Sequence, residues 1–414
     1  MAKAPSLLKN SAVVFGGNMI LNVANLVFNV LMVRLLSPGN FGALAALVGT
    51  MAIVGIPASA LLNGFLKFAA DFTSRNELGK LRYLWASSLR FTGLLGVIAM
   101  IIAIVAAGPI TTALHVNQPE AFIFLLLSIP IGLMAFINRG LVQGLERFEI
   151  YALSLGAEGI TKVIAGFFLV TVGLQLNGAA LAISIAAIAA LVSTWPGVHH
   201  LRREEPVRFQ RRTLLQFSAL ALVVTLVGTV FLNADFIVAK RFLSADNAGA
   251  YAAVSQLAKT ILYIVSAIAT AMMARVARIH AEGGDDRPVL IQALKFTGAA
   301  SLAIFAVCAA APRWVLGLYA PRYVGSVALL LPLSEAMLLY ALANVLIYYF
   351  LSIGSTRIVW ALVVSAFAFV GLLSLQHGSA SELATAMLSS CAVLFVTLTA
   401  TYLTTKPQSS FRTT

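Results

Sequence analysis

The chain has 414 residues with a formal net charge of +13, yet only 10% of its residues are charged, 60% are hydrophobic, and the mean hydropathy is +0.94. A soluble domain carries about 25% charged residues, so this chain cannot cover a water-facing surface, and soluble folds are excluded. The basic balance does not point to nucleic acid: Lys and Arg fall in short loops between apolar runs, where anionic headgroups and topology account for them.

Twelve apolar runs are predicted as helical spans of about 20 residues each. They lie near 11–35, 41–66, 84–108, 120–143, 151–174 and 178–200 in the first half, and near 214–239, 247–273, 290–318, 324–350, 357–376 and 383–404 in the second. The strict alternation of a β-barrel strand is absent. The first run is longer than a signal-peptide core and is read as a retained span. The fold expected is an all-α integral membrane protein of about twelve transmembrane helices.

Span one carries Asn18, Asn22, Asn25 and Asn29. At about 100° per residue these spacings form one polar stripe. An unsatisfied amide in lipid costs several kcal/mol, so the stripe faces a wet cavity or another helix. In the first case the amides suit sugar hydroxyls, because they both donate and accept; in the second they bond across helices. Lys67 and Arg139, toward the inner ends of spans two and four, are candidates to receive an anionic substrate, or to snorkel to lipid phosphates. Arg90, near the start of span three, reads as interfacial. Glu158 and Lys162 on span five are spaced i, i+4 and can pair on one face. Pro57 and Pro130 are candidate kinks.

Between spans six and seven, Arg202 to Arg212 holds seven charges in eleven residues and reads as a hinge between two domains, 1–205 and 206–414. Beyond it, Asp235 lies in span seven. Span eight carries Ser255, Gln256, Lys259, Tyr263 and Ser266 roughly on one face. An ionisable residue inside a span is a functional-site hypothesis by default. Lys259 is therefore read as a substrate or gating cation, or as the ion-pair partner of Asp235. Glu335 follows Pro332 in span ten, and a carboxylate beside a kink suits a coupling ion, proton or sodium. The acidic loop of Glu282, Asp285 and Asp286 reads as solvated. Cys308 and Cys391 lie inside apolar runs as small hydrophobes. No metal cluster, nucleotide loop or hydrolase motif occurs, so neither an enzyme nor a cofactor is expected.

Two stretches repeat. Arg34-Leu-Leu-Ser-Pro-Gly-Asn-Phe-Gly-Ala-Leu-Ala45 matches Arg241-Phe-Leu-Ser-Ala-Asp-Asn-Ala-Gly-Ala-Tyr-Ala252 at seven of twelve positions, at an offset of 207. Gly144-Leu-Glu-Arg147 echoes Gly354-Ser-Thr-Arg357 at an offset of 210, and Lys67 closes span two as Arg275 closes span eight. Six spans per half is an even number, so the lobes share one orientation and are related by an axis along the membrane normal. With the N-terminus inside, the outer loops hold Arg34, Lys240, Arg241, Arg313 and Arg322, while nearly all other Lys and Arg fall on the inner side. That bias predicts both termini in the cytoplasm.

The stretch Val33-Arg-Leu-Leu-Ser-Pro-Gly-Asn-Phe-Gly42 resembles the first-loop signature of the oligosaccharide flippase (Wzx-type polysaccharide transporter) family of the multidrug/oligosaccharidyl-lipid/polysaccharide exporter superfamily. Leu66-Lys-Phe-Ala-Ala70, Gly140-Leu-Val-Gln-Gly-Leu-Glu-Arg-Phe148 and Ala234-Asp-Phe-Ile237, followed by Leu243-Ser244 and Gly249-Ala-Tyr251, are similar to it at corresponding places. The resemblance implies two six-helix lobes around a V-shaped cavity. It also implies an isoprenoid-diphosphate-linked oligosaccharide carried by alternating access from the inner to the outer leaflet of the cytoplasmic membrane. The chain is expected to act as a monomer. The alternative is a drug or small-metabolite exporter of the same superfamily, in which intramembrane carboxylates bind cations. A glycosyl polymerase is disfavoured by the short outer loops.

Overall fold

A computed structural model describes residues 7–56, 68–69, 71–116, 118–208 and 218–404. Twelve long helices are assigned among them: α1 (Leu7–Leu35), α2 (Pro38–Val54), α3 (Leu78–Ala113), α4 (Glu120–Gly144), α5 (Phe148–Leu169), α6 (Gln175–Val198), α7 (Ser218–Phe242), α8 (Ala245–Ala281), α9 (Arg287–Ala310), α10 (Leu330–Ser352), α11 (Ile358–Leu375) and α12 (Ala380–Thr404). No strand occurs among the described residues. Nine described stretches are long and apolar enough to cross a membrane, and one of them, Phe148–Arg203, contains both α5 and α6. These two helices are divided at Gly173, whose φ of +104° a side chain would rarely tolerate.

The chain divides into two compact units, with the boundary between Ala219 and Leu220. In the first, α6 packs against α4 and α5, α1 against α5, and α3 against α4. The buried face of α6 is built from small residues, among them Gly178, Ala179, Ala182, Ala186 and Ala190, which let neighbouring backbones come close where lipid supplies no hydrophobic drive. The α1–α5 contact is equally tight: a Cβ on Gly17 would stand 2.8 Å from the Ala152 backbone, and one on Gly159 2.7 Å from Ala24. In the second unit α10 is central, packing against α8, α9 and α12, and α11 packs against α12. The pairings α3–α4, α4–α6 and α5–α6 therefore recur as α9–α10, α10–α12 and α11–α12.

Local caps repeat as well. Ser37 accepts the Asn40 N–H at 3.3 Å to start α2, and Ser244 accepts the Asn247 N–H at 3.4 Å to start α8; both are N-caps with nearly identical dihedrals. The closing turn Phe72–Glu77, with Asn76 at φ 56°, matches Ile279–Gly284, with Gly283 at φ 72°. The turn after α4 corrects the second echo. Arg147 N–H donates to the Val142 carbonyl with Glu146 at φ 59°, and Ser355 N–H donates to Phe350 with Gly354 at φ 65°. Gly354 thus answers Glu146 at an offset of 208, not Gly144 at 210, because the left-handed residue of the cap sets the register.

Candidate functional site

Two polar groupings lie inside the helical layers. In the first unit, Arg139 near the end of α4 reaches α5. Its Nε donates to Ser154 Oγ at 2.9 Å, and its Nη2 donates to the Ser154 carbonyl at 2.9 Å and pairs with Glu158 at 2.7 Å. One turn further along α5, Lys162 donates to the Asn25 side-chain oxygen on α1 and stands 5.8 Å from the centre of the Phe28 ring. The result is a seam across α4, α5 and α1 with two cations and one carboxylate. The i, i+4 pairing of Glu158 with Lys162 is not what forms. Glu158 is taken by Arg139, whose planar fork matches a carboxylate, and Lys162 is left with a neutral amide and an aromatic face.

In the second unit Asp235 on α7 and Lys259 on α8 form an ion pair, with Lys259 Nζ 2.9 Å from both carboxylate oxygens. Their side chains are 0% and 1% exposed. Ser255 Oγ donates to Asp235 at 2.7 Å, Tyr251 OH donates at 3.4 Å, and the Lys259 ammonium sits 3.4 Å above the Phe236 ring. Both carboxylate oxygens accept from the ammonium and Oδ2 also accepts from Ser255 and Tyr251; such added hydrogen bonds are the condition under which a buried pair is tolerated.

The remaining residues singled out from sequence are scattered. Asn18 bonds back to its own helix at the Val14 carbonyl, 2.8 Å; Asn22 is exposed; Asn29 is half-buried. The stripe thus shares a helix face, but only Asn25 is drawn into the seam. Gln256 is half-buried on α8. Glu335 is exposed, and the kink expected beside it does not arise from Pro332. That residue is third in α10, where its missing N–H is one of the donors a helix start leaves unpaired anyway. Lys67 and Pro57 lie outside the described residues.

Other polar contacts were not anticipated. Asn138, beside Arg139, accepts from Trp85 Nε1 at 2.9 Å and donates to Thr194 Oγ at 3.0 Å, tying α3, α4 and α6 together. An amide directly before Arg139 within a predicted span was the available signal. Asp286 is not solvated: it is buried, with Tyr349 OH at 2.9 Å and His280 Nδ1 at 3.0 Å. Among the described residues no group of three or more His, Cys, Asp or Glu is placed to hold a metal ion.

A family model described as "Polysaccharide biosynthesis protein" matches residues 7–280, about two thirds of the chain. The chain belongs to the polysaccharide biosynthesis protein family. A search of curated proteins finds no match. Among solved structures, the fold is shared with an inward-facing multidrug-resistance MATE transporter of the MOP superfamily at a TM-score of 0.72 and 15% identity, covering 93% of this chain and 96% of that one. The lipid II flippase MurJ in an inward closed conformation is similar at a TM-score of 0.73 and 11% identity, covering 96% and 88%. An outward-facing MATE transporter is similar at 0.66 and 16%, covering 96% and 94%. The polysaccharide biosynthesis family member described here is accordingly a multi-pass membrane protein, helical throughout its described residues, with the fold of these transporters. The twelve long helices among its described residues fall into two compact units, in keeping with the two lobes expected from sequence.

Proposed function

We propose that this transporter flips an isoprenoid-diphosphate-linked oligosaccharide from the inner to the outer leaflet of the cytoplasmic membrane, as a monomer with both termini in the cytoplasm. The family match over residues 7–280 carries this reading. The Arg139–Glu158–Lys162 seam supports it, since its cations outnumber its carboxylate. Surplus positive charge among helices calls for an anionic partner, and a diphosphate supplies one. Asn22, Asn29 and Gln256 are the proposed contacts for sugar hydroxyls, Lys67 and Arg139 for the incoming diphosphate. Lys259 and Asp235 satisfy one another, so in this arrangement neither is open to substrate or ion. Glu335 is left as the proposed ion-coupling carboxylate, for a proton or sodium ion.

The test is the purified protein in liposomes with a fluorescent diphosphate-linked glycolipid. Protein-dependent translocation is expected, reduced about tenfold or more by Lys162→Gln on loss of one close charge contact. Failure to move any diphosphate-linked lipid, with transport of a cationic dye by the same vesicles, would replace this reading by a small-molecule exporter.

A further inference from the structure

The first unit holds a second cationic feature, away from the seam. The start of α3 presents Arg82, Ala86 and Arg90 at i, i+4 and i+8, with Tyr83 and Ser87 beside them. Across this end of the helix runs the segment that leaves α6. Val207 N–H donates to the Gly79 carbonyl at 3.0 Å, and Arg82 Nη1 donates to the Leu201 carbonyl at 3.1 Å. The fit is close: a Cβ on Gly79 would stand 2.6 Å from the Glu205 carbonyl oxygen.

Between the segment and the helix lies a cavity of about 490 Å³, where Arg82, Arg90 and Arg208 converge with the Tyr83 and Ser87 side chains; among the described residues no carboxylate lines the walls. The small side chains of Ala86 and Ser87 leave the room open. On the helix side, Glu77 is held by Lys80 at 2.8 Å; Glu204 and Glu205 precede Pro206 on the covering segment, and neither is among the residues that line the cavity. Arg82 Nε is buried and has no hydrogen-bond partner. Buried donors are nearly always paired, so this orphaned N–H adds uncompensated positive character to the cavity wall. Three guanidiniums select a tetrahedral oxyanion; the Ser87 hydroxyl already donates to the Leu84 carbonyl at 3.0 Å. The cavity is larger than a bare phosphate fills. Arg90 is the last charge before the apolar stretch that opens at Phe91, so the site stands at the depth of headgroups.

We propose that this cavity binds the phosphate of an anionic lipid headgroup and thereby clamps residues 203–208 to the start of α3. The segment continues toward α7, so occupancy would tether the connection between the two halves of the chain.

The experiment uses the full-length protein in phosphatidylcholine nanodiscs, with binding followed by native mass spectrometry. One arm titrates short-chain phosphatidylglycerol and the other inorganic phosphate. Saturable binding of the lipid is expected. It weakens about fivefold for Arg90→Gln or Arg208→Gln and about 30-fold for both, the scale of an interfacial cation's contribution. Arg90, Arg208 and the control position Arg278 are exposed, so folding is retained and Arg278→Gln leaves binding unchanged. Equal, arginine-dependent binding of inorganic phosphate would assign the site to a soluble phosphate compound instead of a lipid. No saturable binding in either arm, or equal loss in the double variant and in Arg278→Gln, would overturn the proposal.

Discussion

The Asp235–Lys259 pair is the most demanding electrostatic element of the structure, and neutralising one partner tests it directly. Both side chains are essentially inaccessible, and the ammonium sits 2.9 Å from each carboxylate oxygen. Asp235→Asn keeps the shape and the acceptor for Ser255 but strands a buried cation. Breaking a buried pair from one side costs about 3–5 kcal/mol, which for a unit of this size lowers the melting midpoint by roughly 10 °C. Lys259→Met strands the carboxylate, whose remaining donors are Ser255 at 2.7 Å and Tyr251 at 3.4 Å, and is expected to cost a similar amount. The double variant removes both charges and retains an acceptor for Ser255. It is expected to recover to within about 1–2 kcal/mol of the parent, because exchanging a whole buried pair for neutral groups is often nearly neutral. The cycle therefore predicts a coupling of at least about 3 kcal/mol. The assay is thermal retention of the detergent-solubilised protein by fluorescence-detected size-exclusion chromatography. Single variants that melt with the parent would refute the reasoning, since the pair would then be open for much of the time. If the double variant folds and still flips glycolipid at the parental rate, the pair is structural and Lys259 has no part in substrate binding.

Two further predictions concern backbone and packing. Glu146 occupies a left-handed position at φ 59°, where the second half has Gly354 at φ 65°. Glu146→Gly is therefore expected to stabilise by up to about 1 kcal/mol and Gly354→Ala to destabilise by about 1–2 kcal/mol; melting shifts of the same sign for both would contradict this. At the α1–α5 contact, Gly159→Leu must displace Ala24, 2.7 Å from the new Cβ. A loss of about 1–3 kcal/mol is expected from overpacking. The change also disturbs the Lys162–Asn25 contact one turn away, so glycolipid flipping should fall more steeply than melting temperature; unchanged flipping would argue that the seam takes no part in transport.

Several features were legible without coordinates. Too little charge for a water-facing surface, and apolar runs of membrane length, dictate an all-helical membrane chain. The offset of 207 between Arg34–Ala45 and Arg241–Ala252 announced the duplication. These properties are local or additive along the chain, and a linear string records them fully. Matching glycine to glycine gives the wrong register for the second echo. The real invariant is the left-handed backbone position, which Glu146 fills in one half and Gly354 in the other.

Partnerships belong to the tertiary structure. Sequence spacing offered Lys162 to Glu158, yet Arg139 arrives from α4 and takes the carboxylate, leaving Lys162 to Asn25 on α1. Spacing also placed four asparagines on one stripe, and only the approach of α5 to α1, permitted by Gly17 and Gly159, decides that Asn25 alone joins the seam. Arg208 is far in the chain from Arg82 and Arg90, and the three meet only because the segment after α6 folds back over Gly79. A helix periodicity states which residues share a face. What that face meets depends on which other helix comes within a few ångströms, and that is decided by packing across the whole unit.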